Sequence, residues 1–315
     1  MGPPVTSSPQ AEHEKRWAAG TSVVAAVGLT AFKVLVGLAT GSLGILAEAA
    51  HSGLDLVAAV LTWFAVRVSG KPPDRDHHYG HGKAENLSAA VETFLLLATC
   101  VWIIHGAVTR LVRHDIEIEV TFWSFAVMIT SIVVDVSRSR VLYRAARKHN
   151  SQALEADALH FSTDIWSSGV VILGLACVMV SKWRPAWGFL HHADAIAAIL
   201  VALIVVYVGA RLGWRTVAAL LDAAPAGVEE KIKSAVEGLA GVTDCHKVRV
   251  RYSGPLPFVD VHVLLDGDQS LKAAHDLTEE IERAIQRELP GADVTVHPEP
   301  CAEAGAPGAG GPARA

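Results

Sequence analysis

The chain has 315 residues, of which 51% are hydrophobic and only 19% charged, and its formal net charge is -5. Soluble globular proteins have about 25% charged residues and nucleic-acid binders are usually basic, so the composition argues against both classes. The four cysteines are far apart and form no CxxC pair, which argues against a disulfide framework and against a thiolate zinc site.

Long apolar stretches dominate the first two thirds of the sequence. A stretch of about 20 apolar residues is long enough to cross a bilayer as a helix. Six such stretches predict a six-helix transmembrane domain over residues 17–222, after an N-terminal tail of residues 1–16; they are residues 17–39, 43–66, 87–108, 122–145, 154–180 and 193–221. The fourth stretch is the least regular because it contains Asp135.

Positive charges near the helix ends predict the orientation of the chain. Most Lys and Arg residues in these positions lie on the side that holds both termini, the loop after the second helix and the end of the fourth helix. Cytoplasmic loops carry the excess of such residues. Both termini are therefore predicted to be cytoplasmic.

Residues 223–300 have the charge content and the residue pattern of a small soluble domain. Apolar residues recur at helical spacing over 228–239 and 270–289, and residues 246–252, 258–265 and 293–297 have the alternating or β-branched pattern of strands. The order helix, strand, strand, helix, strand predicts an α+β domain. Residues 301–315, rich in Ala, Gly and Pro, are predicted to be a disordered tail.

Two of the predicted membrane helices contain the same motif, H-x-x-x-D. It occurs as His51 and Asp55 in the second helix and as His160 and Asp164 in the fifth. Residues four apart share a helix face, so two such helices could offer two nitrogens and two oxygens to a tetrahedral Zn²⁺ ion. The alternative is a hydrogen bond between His and Asp within each helix, although ionisable groups at membrane depth are usually functional.

A second candidate site is the loop after the second helix. This loop is rich in His and Asp, including Asp74, His77 and His81. Such a short His-rich tract could bind a metal ion, or it could simply be a solvated polar loop.

A third group of candidate ligands lies in the soluble domain. His246 opens one predicted strand, His262 lies in the next, and His297 ends the third, with Glu299 close behind and His275 on the second helix. Neighbouring strands could bring the three strand histidines together. Isolated surface histidines are the alternative.

At these residues the chain resembles the cation diffusion facilitator family, and within it the YiiP-like zinc/proton antiporters. The resemblance covers residues 17–300 and depends on the two helix motifs, the His-Gly-Lys-Ala-Glu run that ends at Glu85, and the Leu-Leu-Asp run that ends at Asp222. It implies a homodimer of six-helix bundles in the bacterial inner membrane, with a ferredoxin-like cytoplasmic domain. The implied partners are the lipid bilayer, metal ions and protons.

The resemblance also implies roles for particular residues. The two helix motifs would form the transport site and the loop residues a second site, while Lys83 and Asp222 would form a charge pair that holds the membrane domains together. Metal in the cytoplasmic domain would be bound across the dimer interface by His246, His262, His275, His297 and Glu299.

Three positions depart from the YiiP-like pattern. His51 stands where those proteins have Asp, Pro298 replaces a polar residue, and Glu299 is one methylene longer than the Asp that it replaces. The first change bears on metal choice. The other two bear on how fully the cytoplasmic site is occupied.

The predicted function is Zn²⁺/H⁺ antiport by alternating access, with Cd²⁺, Co²⁺, Fe²⁺, Ni²⁺ and Mn²⁺ as weaker substrates. Metal ligands must be deprotonated, so protons and metal compete for the same groups. An intramembrane metallohydrolase is disfavoured because no H-E-x-x-H motif is present, and the sequence contains no phosphate-binding loop of an ATPase. A non-transporting metal sensor is disfavoured because all four helix ligands are present.

Overall fold

A computed structural model describes residues 8–113, 122–183 and 193–301. The chain divides into two compact units, one formed by Ser7–Leu221 and the other by the residues from Asp222 onward. Of the predicted disordered tail, only Cys301 lies within the described residues.

The first unit consists of long helices that correspond to the six apolar stretches. Their bounds are α1 Pro9–Thr40, α2 Leu43–Ser69, α3 Lys83–Arg113, α4 Phe122–His149, α5 Gln152–Trp183 and α6 Ala193–Leu220. Local sequence sets the first boundaries. The side-chain oxygens of Ser8 and Ser42 cap the first turns of α1 and α2, and Gly41 separates the two helices with a φ of 66°.

Four of these helices are long and apolar enough to cross a membrane by length and composition alone. The spans are Pro9–Thr40, Glu48–Ser69, Lys83–Gly106 and Ile199–Leu220. The other two predicted spans, α4 and α5, are not among the spans found in the described residues. Of the two, α4 carries six basic or acidic residues: Asp135, Arg138, Arg140, Arg144, Arg147 and Lys148.

Small residues let the helices of the first unit approach closely. The main neighbouring pairs are α1 with α2, α3 with α6, and α4 with α5. A Cβ atom on Gly37 would lie 2.7 Å from the Leu46 side chain, and one on Gly213 would lie 2.9 Å from Thr93. Van der Waals packing at small residues drives helix association in membranes, so these contacts hold α1 to α2 and α3 to α6.

A buried ion pair ties together the end of the bundle that carries loop 70–82. Lys15 of α1 is 1% exposed and its Nζ donates to Glu85 Oε1 of α3 at 2.8 Å. Glu85 also accepts hydrogen bonds from Ser69 at the end of α2 and from Ser151 just before α5. Breaking such a fully buried pair on one side costs about 3–5 kcal/mol, so this network fixes four helices relative to one another.

The second unit has the predicted order of helix, strand, strand, helix, strand. Its elements are α7 Val228–Glu237, β1 Val242–Ser253, β2 Leu256–Leu265, α8 Leu271–Glu288 and β3 Asp293–Pro300. The sheet order is β1-β2-β3, with β1 antiparallel and β3 parallel to β2. The α+β fold predicted from the sequence is confirmed.

Among the described residues of this unit, the helices cover one face of the sheet. Burial alternates strictly along β2, and Val259, Val261 and Val263 join the core that α7 and α8 complete. Because successive strand residues point to opposite faces, His262 lies on the other face, away from the two helices.

Candidate metal centres

The helices α2 and α5 bring the four predicted transport ligands together. We call these residues the helix cluster: His51, Asp55, His160 and Asp164. His160 Nε2 lies 3.1 Å from Asp55 Oδ1 and 3.8 Å from Asp164 Oδ2, and His51 Nε2 lies 3.9 Å from Asp55 Oδ1. Each helix contributes its pair through the four-residue spacing, and the contact between His160 and Asp55 joins the two helices.

The helix cluster is largely shielded from solvent. The exposed fractions of the side chains are 8% for His160, 12% for Asp55, 19% for Asp164 and 34% for His51. The imidazole of His160 and the ring of Phe161 form a T-shaped contact, with their centroids 5.5 Å apart. Lys33 of α1 lies beside the cluster. Its Nζ donates to the Oγ atom of Ser52, the residue that follows His51, at 2.7 Å.

The donor atoms of the helix cluster suit a small divalent ion. One donor atom from each of His51, Asp55 and Asp164 lies within 4.8 Å of the others, and His160 is bonded to Asp55. Donors at about 2.0–2.2 Å from a tetrahedral zinc ion lie roughly 3.4 Å apart, so small side-chain rotations are enough to reach that geometry. Two imidazoles and two carboxylates balance the charge of one divalent ion.

The loop between α2 and α3 contains a second group of donors, the loop cluster of Asp74, His77 and His81. Asp74 Oδ1 lies 3.3 Å from His77 Nδ1, and Asp74 Oδ2 lies 3.3 Å from His81 Nε2. The two imidazole rings lie 4.4 Å apart. All three offer a donor atom within 4.8 Å of one another, so the loop holds a three-ligand set.

Backbone hydrogen bonds hold the carboxylate of the loop cluster in place. The N–H groups of His77 and Asp76 donate to Asp74 Oδ1 at 2.8 and 3.0 Å. The bond from His77 is the main reason that the pKa of the Asp74 carboxyl is held below its usual value. The site is therefore built into the turn itself, with the carboxylate ionised and ready to bind a cation.

The uncovered face of the C-terminal sheet carries the third group, which we call the sheet cluster: His246, His262, His297 and Glu299. Strand pairing places His246 opposite His262 and His262 opposite His297. The sequence prediction that neighbouring strands bring the three histidines together agrees with this register. Glu299 follows His297 by two residues on the same face.

The carboxylate of Glu299 lies close to all three histidines. Its oxygens lie 2.7 Å from His262 Nδ1, 3.3 Å from His246 Nε2 and 3.8 Å from His297 Nε2. The bond with His262 is the main reason that the pKa of the Glu299 carboxyl is lowered. His246, His262 and Glu299 offer donor atoms within 4.8 Å of one another.

The structure does not bring His275 into the sheet cluster. It lies exposed on α8, with Nε2 3.6 Å from Glu279 Oε1 in the same helix. The helices occupy the sheet face opposite to the histidines, which separates His275 from them within one chain. Its predicted role across a dimer interface stays a prediction.

The predicted charge pair consists of Lys83 and Asp222. Lys83 begins α3 and its Nζ donates to the carbonyl oxygen of Leu220 at 3.5 Å. Asp222 follows α6 with a φ of 59°. The pairing of the two charges across a dimer stays a prediction.

Sequence reasoning missed several buried ionisable residues around these sites. Arg138 of α4 donates to Asp135 at 3.4 Å and to Ser22 of α1 at 3.1 Å, and it stacks 3.5 Å from the Phe161 ring. Lys33, Glu92 and Asp157 are buried within other helices. The sequence did contain a signal for these residues, since each is a charged residue inside an apolar stretch. At membrane depth such a residue is usually functional or paired.

Comparison with protein families accounts for nearly the whole chain. A family model described as the cation efflux transmembrane domain matches residues 21–221. A second, described as the cytoplasmic domain of cation efflux proteins, matches residues 224–301.

Individual relatives show the same extent of similarity. The cation-efflux pump FieF of Salmonella arizonae is 31% identical over 289 residues, which cover 90% of this chain and 92% of that protein. FieF of Salmonella enteritidis PT4 is 30% identical with the same coverage. Among solved structures, the metal-bound C-terminal domain of the CzcD transporter from Thermotoga maritima is 30% identical, covers 25% of this chain and 92% of its own, and has a TM-score of 0.23.

Proposed function

The chain belongs to the cation diffusion facilitator family of integral membrane cation efflux transporters, and from this premise we propose that it exports Zn²⁺ in exchange for protons. The observation that carries the proposal is the helix cluster. Two membrane helices bring two imidazoles and two carboxylates to one shielded point, linked by the 3.1 Å contact of His160 with Asp55. This donor set suits zinc better than larger or harder cations.

The same ligands supply the exchange with protons. Each imidazole and each carboxylate must be deprotonated to bind the metal, so an arriving zinc ion displaces protons and an arriving proton weakens the hold on zinc. Because protons and zinc compete for the same atoms, a transmembrane pH difference can act on the site. Alternating access would expose the cluster first to the cytoplasm, where zinc binds, and then to the other side, where protons replace it.

The loop and sheet clusters have a different role in this proposal. Both lie partly open to solvent, and both hold their carboxylates through hydrogen bonds made inside one segment or one sheet. We infer that they bind zinc as resident, regulatory ions and that the sheet cluster stabilises a homodimer through the cytoplasmic domain. Metal that binds only the associated form stabilises it by mass action.

Reconstituted vesicles test the proposal directly. The full chain, placed in liposomes with an imposed pH difference, should move Zn²⁺ against protons, and faster than Cd²⁺, Co²⁺, Ni²⁺, Fe²⁺ or Mn²⁺. A matched variant, Asp164→Asn, keeps the size of the side chain and removes one charged ligand. Zinc flux that is equal in the variant and the original chain would contradict the assignment of the helix cluster as the transport site.

A further inference from the structure

Two carboxylic acid side chains lie inside the helix bundle and belong to none of the three clusters. Glu92 of α3 is 2% exposed and Asp157 of α5 is 0% exposed. Both side-chain oxygens of Glu92 and the Oδ1 atom of Asp157 are buried without a hydrogen-bond partner among the described residues. The other oxygen of Asp157 accepts a hydrogen bond from Ser22 at 3.3 Å. An ionised carboxylate is strongly disfavoured in such a setting, whereas a protonated one is tolerated.

Helix register places Glu92 about one turn from the helix cluster. The helices α2 and α3 are joined by loop 70–82, and the hydroxyls of Thr62 and Ser88 lie 3.5 Å apart. The two helices run in opposite directions, so Asp55, seven residues before Thr62, and Glu92, four residues after Ser88, lie on the same side of this contact. Glu92 is therefore three residues, or roughly 4.5 Å along the helix axis, nearer to loop 70–82 than Asp55.

Asp157 lies at a similar height on the opposite helix. It precedes His160 of the helix cluster by three residues, which is just under one turn of α5. The helices α3 and α5 are in direct contact here through Ala89 and Ala156. Glu92 and Asp157 therefore lie on the side of the helix cluster that faces loop 70–82.

The charges around the two acids leave Glu92 without a positive partner in the part of the chain that the structure describes. Among the described residues, Asp157 feels the charges of Arg138 on α4, His160 on its own helix and Asp55 on α2. Glu92 feels chiefly the charge of Asp157, another carboxylate. Two adjacent carboxylates in a buried setting do not both ionise, so they bind protons as a unit.

Cations on the remaining neighbouring helices are bonded elsewhere. On α1, Lys15 is held by Glu12 and Glu85 at 2.7 and 2.8 Å. On α6, Arg215 is paired with Glu155 near the surface. Among the described residues, the positive charge of Arg138 therefore acts on Asp157, and Glu92 has no positive charge beside it.

We propose that Glu92 and Asp157 form a proton-binding carboxyl pair that serves the proton half of the exchange, an inference that rests on the proposed function. In the zinc-free state the pair holds one proton. When Zn²⁺ binds at the helix cluster about one turn away, its charge favours the ionised pair, and the proton leaves to the cytoplasmic side from which the zinc came. When the zinc leaves on the other side, the pair takes a proton from that side. Each cycle then moves one proton through the pair in the direction opposite to the metal.

Counting protons per zinc ion tests the pair. Vesicles that contain the full chain and a trapped pH-sensitive dye report zinc flux and proton flux together. Glu92→Gln mimics the protonated acid and should lower the ratio by about one proton per zinc ion, with zinc flux less responsive to an imposed pH difference. Glu155→Gln, which removes a surface carboxylate two residues from Asp157, is the matched control and should keep the original ratio. A Glu92→Gln chain with the original ratio would overturn the proposal.

A second measurement uses the original chain alone and needs no variant. Infrared difference spectra of the original chain should lose the carbonyl band of a buried protonated carboxyl group when zinc is added, and a spectrum without that loss would overturn the proposal. The two hypotheses fail separately. If the original chain moves no zinc, or moves it without protons, the proposed function fails. If it exchanges zinc for protons and Glu92→Gln changes nothing, only the carboxyl pair fails.

Discussion

The helix cluster and the sheet cluster use the same kinds of donor atoms in opposite surroundings. The helix cluster lies between two membrane helices, its two motifs meet at a single contact of 3.1 Å, and His160 there is 8% exposed. The sheet cluster lies on an uncovered sheet face, where Glu299 is 29% exposed and contacts all three histidines. Ligands at an open surface can take up and lose an ion through water without any movement of the fold.

Burial makes the helix cluster depend on a moving fold. The inner ligands of the helix cluster are shielded, with exposed fractions of 8% for His160 and 12% for Asp55, and only His51 reaches 34%. In the transport proposed above, movement of the helices would carry the bound ion from one side to the other. This difference supports the proposal that the cluster between helices transports the ion and that the clusters in the loop and on the sheet regulate.

The largest expected effect comes from removing a ligand of the helix cluster. Loss of an outer-shell partner typically lowers metal affinity or activity 10–100-fold, and loss of a ligand should cost more, so Asp164→Asn should lower zinc flux at least about a hundredfold. Asp74→Asn in the loop cluster is the matched change and should leave most of the flux. Comparable losses in the two variants, measured in vesicles, would remove the distinction between the clusters.

A smaller effect is expected on metal choice, through His51. Two imidazoles and two carboxylates favour Zn²⁺, whereas an added carboxylate makes the cluster more tolerant of larger ions. His51→Asp should raise Cd²⁺ flux relative to Zn²⁺ by about tenfold, equivalent to ~1.4 kcal/mol. Side-by-side flux of both ions measures this. An original chain that already moves Zn²⁺ and Cd²⁺ equally well would contradict the argument.

A third variant tests the regulatory role of the sheet cluster. Glu299→Gln removes the carboxylate that contacts His246, His262 and His297. Zinc at a hundred times its dissociation constant stabilises the form that binds it by about 2.7 kcal/mol, and this gain should disappear in the variant. Dimer dissociation of the full chain, measured with and without zinc, reports the change. Zinc flux should fall only a few-fold, so complete loss of flux with normal dimerisation would contradict this role.

The smallest expected effect concerns Lys83. If it pairs with Asp222 to hold two membrane domains together, Lys83→Ala should loosen the dimer while leaving the helix cluster intact. Native mass measurements before and after zinc addition can detect this. A dimer that is unchanged in Lys83→Ala, with normal flux, would contradict the role of Lys83 as a dimer contact.

The sequence predicted most of the fold because its patterns are local. Six apolar stretches gave six helices, and the period of two along β2 predicted a strand with one buried face, as found. The four-residue spacing of His51 and Asp55 placed both on one side of α2. The meeting of α2 with α5 required the tertiary structure, since nothing local in either motif specifies its neighbour.

Other features of the sites depend on long-range packing that spacing does not encode. The ion pair of Lys15 with Glu85 spans 70 residues, and the contact of Ser22 with Asp157 spans 135. His275 is a different case. Within one chain α8 keeps it from the strand histidines, and its predicted role across a dimer interface stays a prediction.

X-ray absorption at the zinc edge tests the central claim most directly. A full-length variant with Asp74→Ala and Glu299→Ala lacks a ligand of the loop cluster and of the sheet cluster but keeps the helix cluster. It should bind one zinc ion per chain, four-coordinate, with two histidine nitrogens and two carboxylate oxygens at about 2.0–2.2 Å. A variant that binds no zinc, or binds it without two histidine nitrogens, would contradict the assignment of the metal to His51, Asp55, His160 and Asp164.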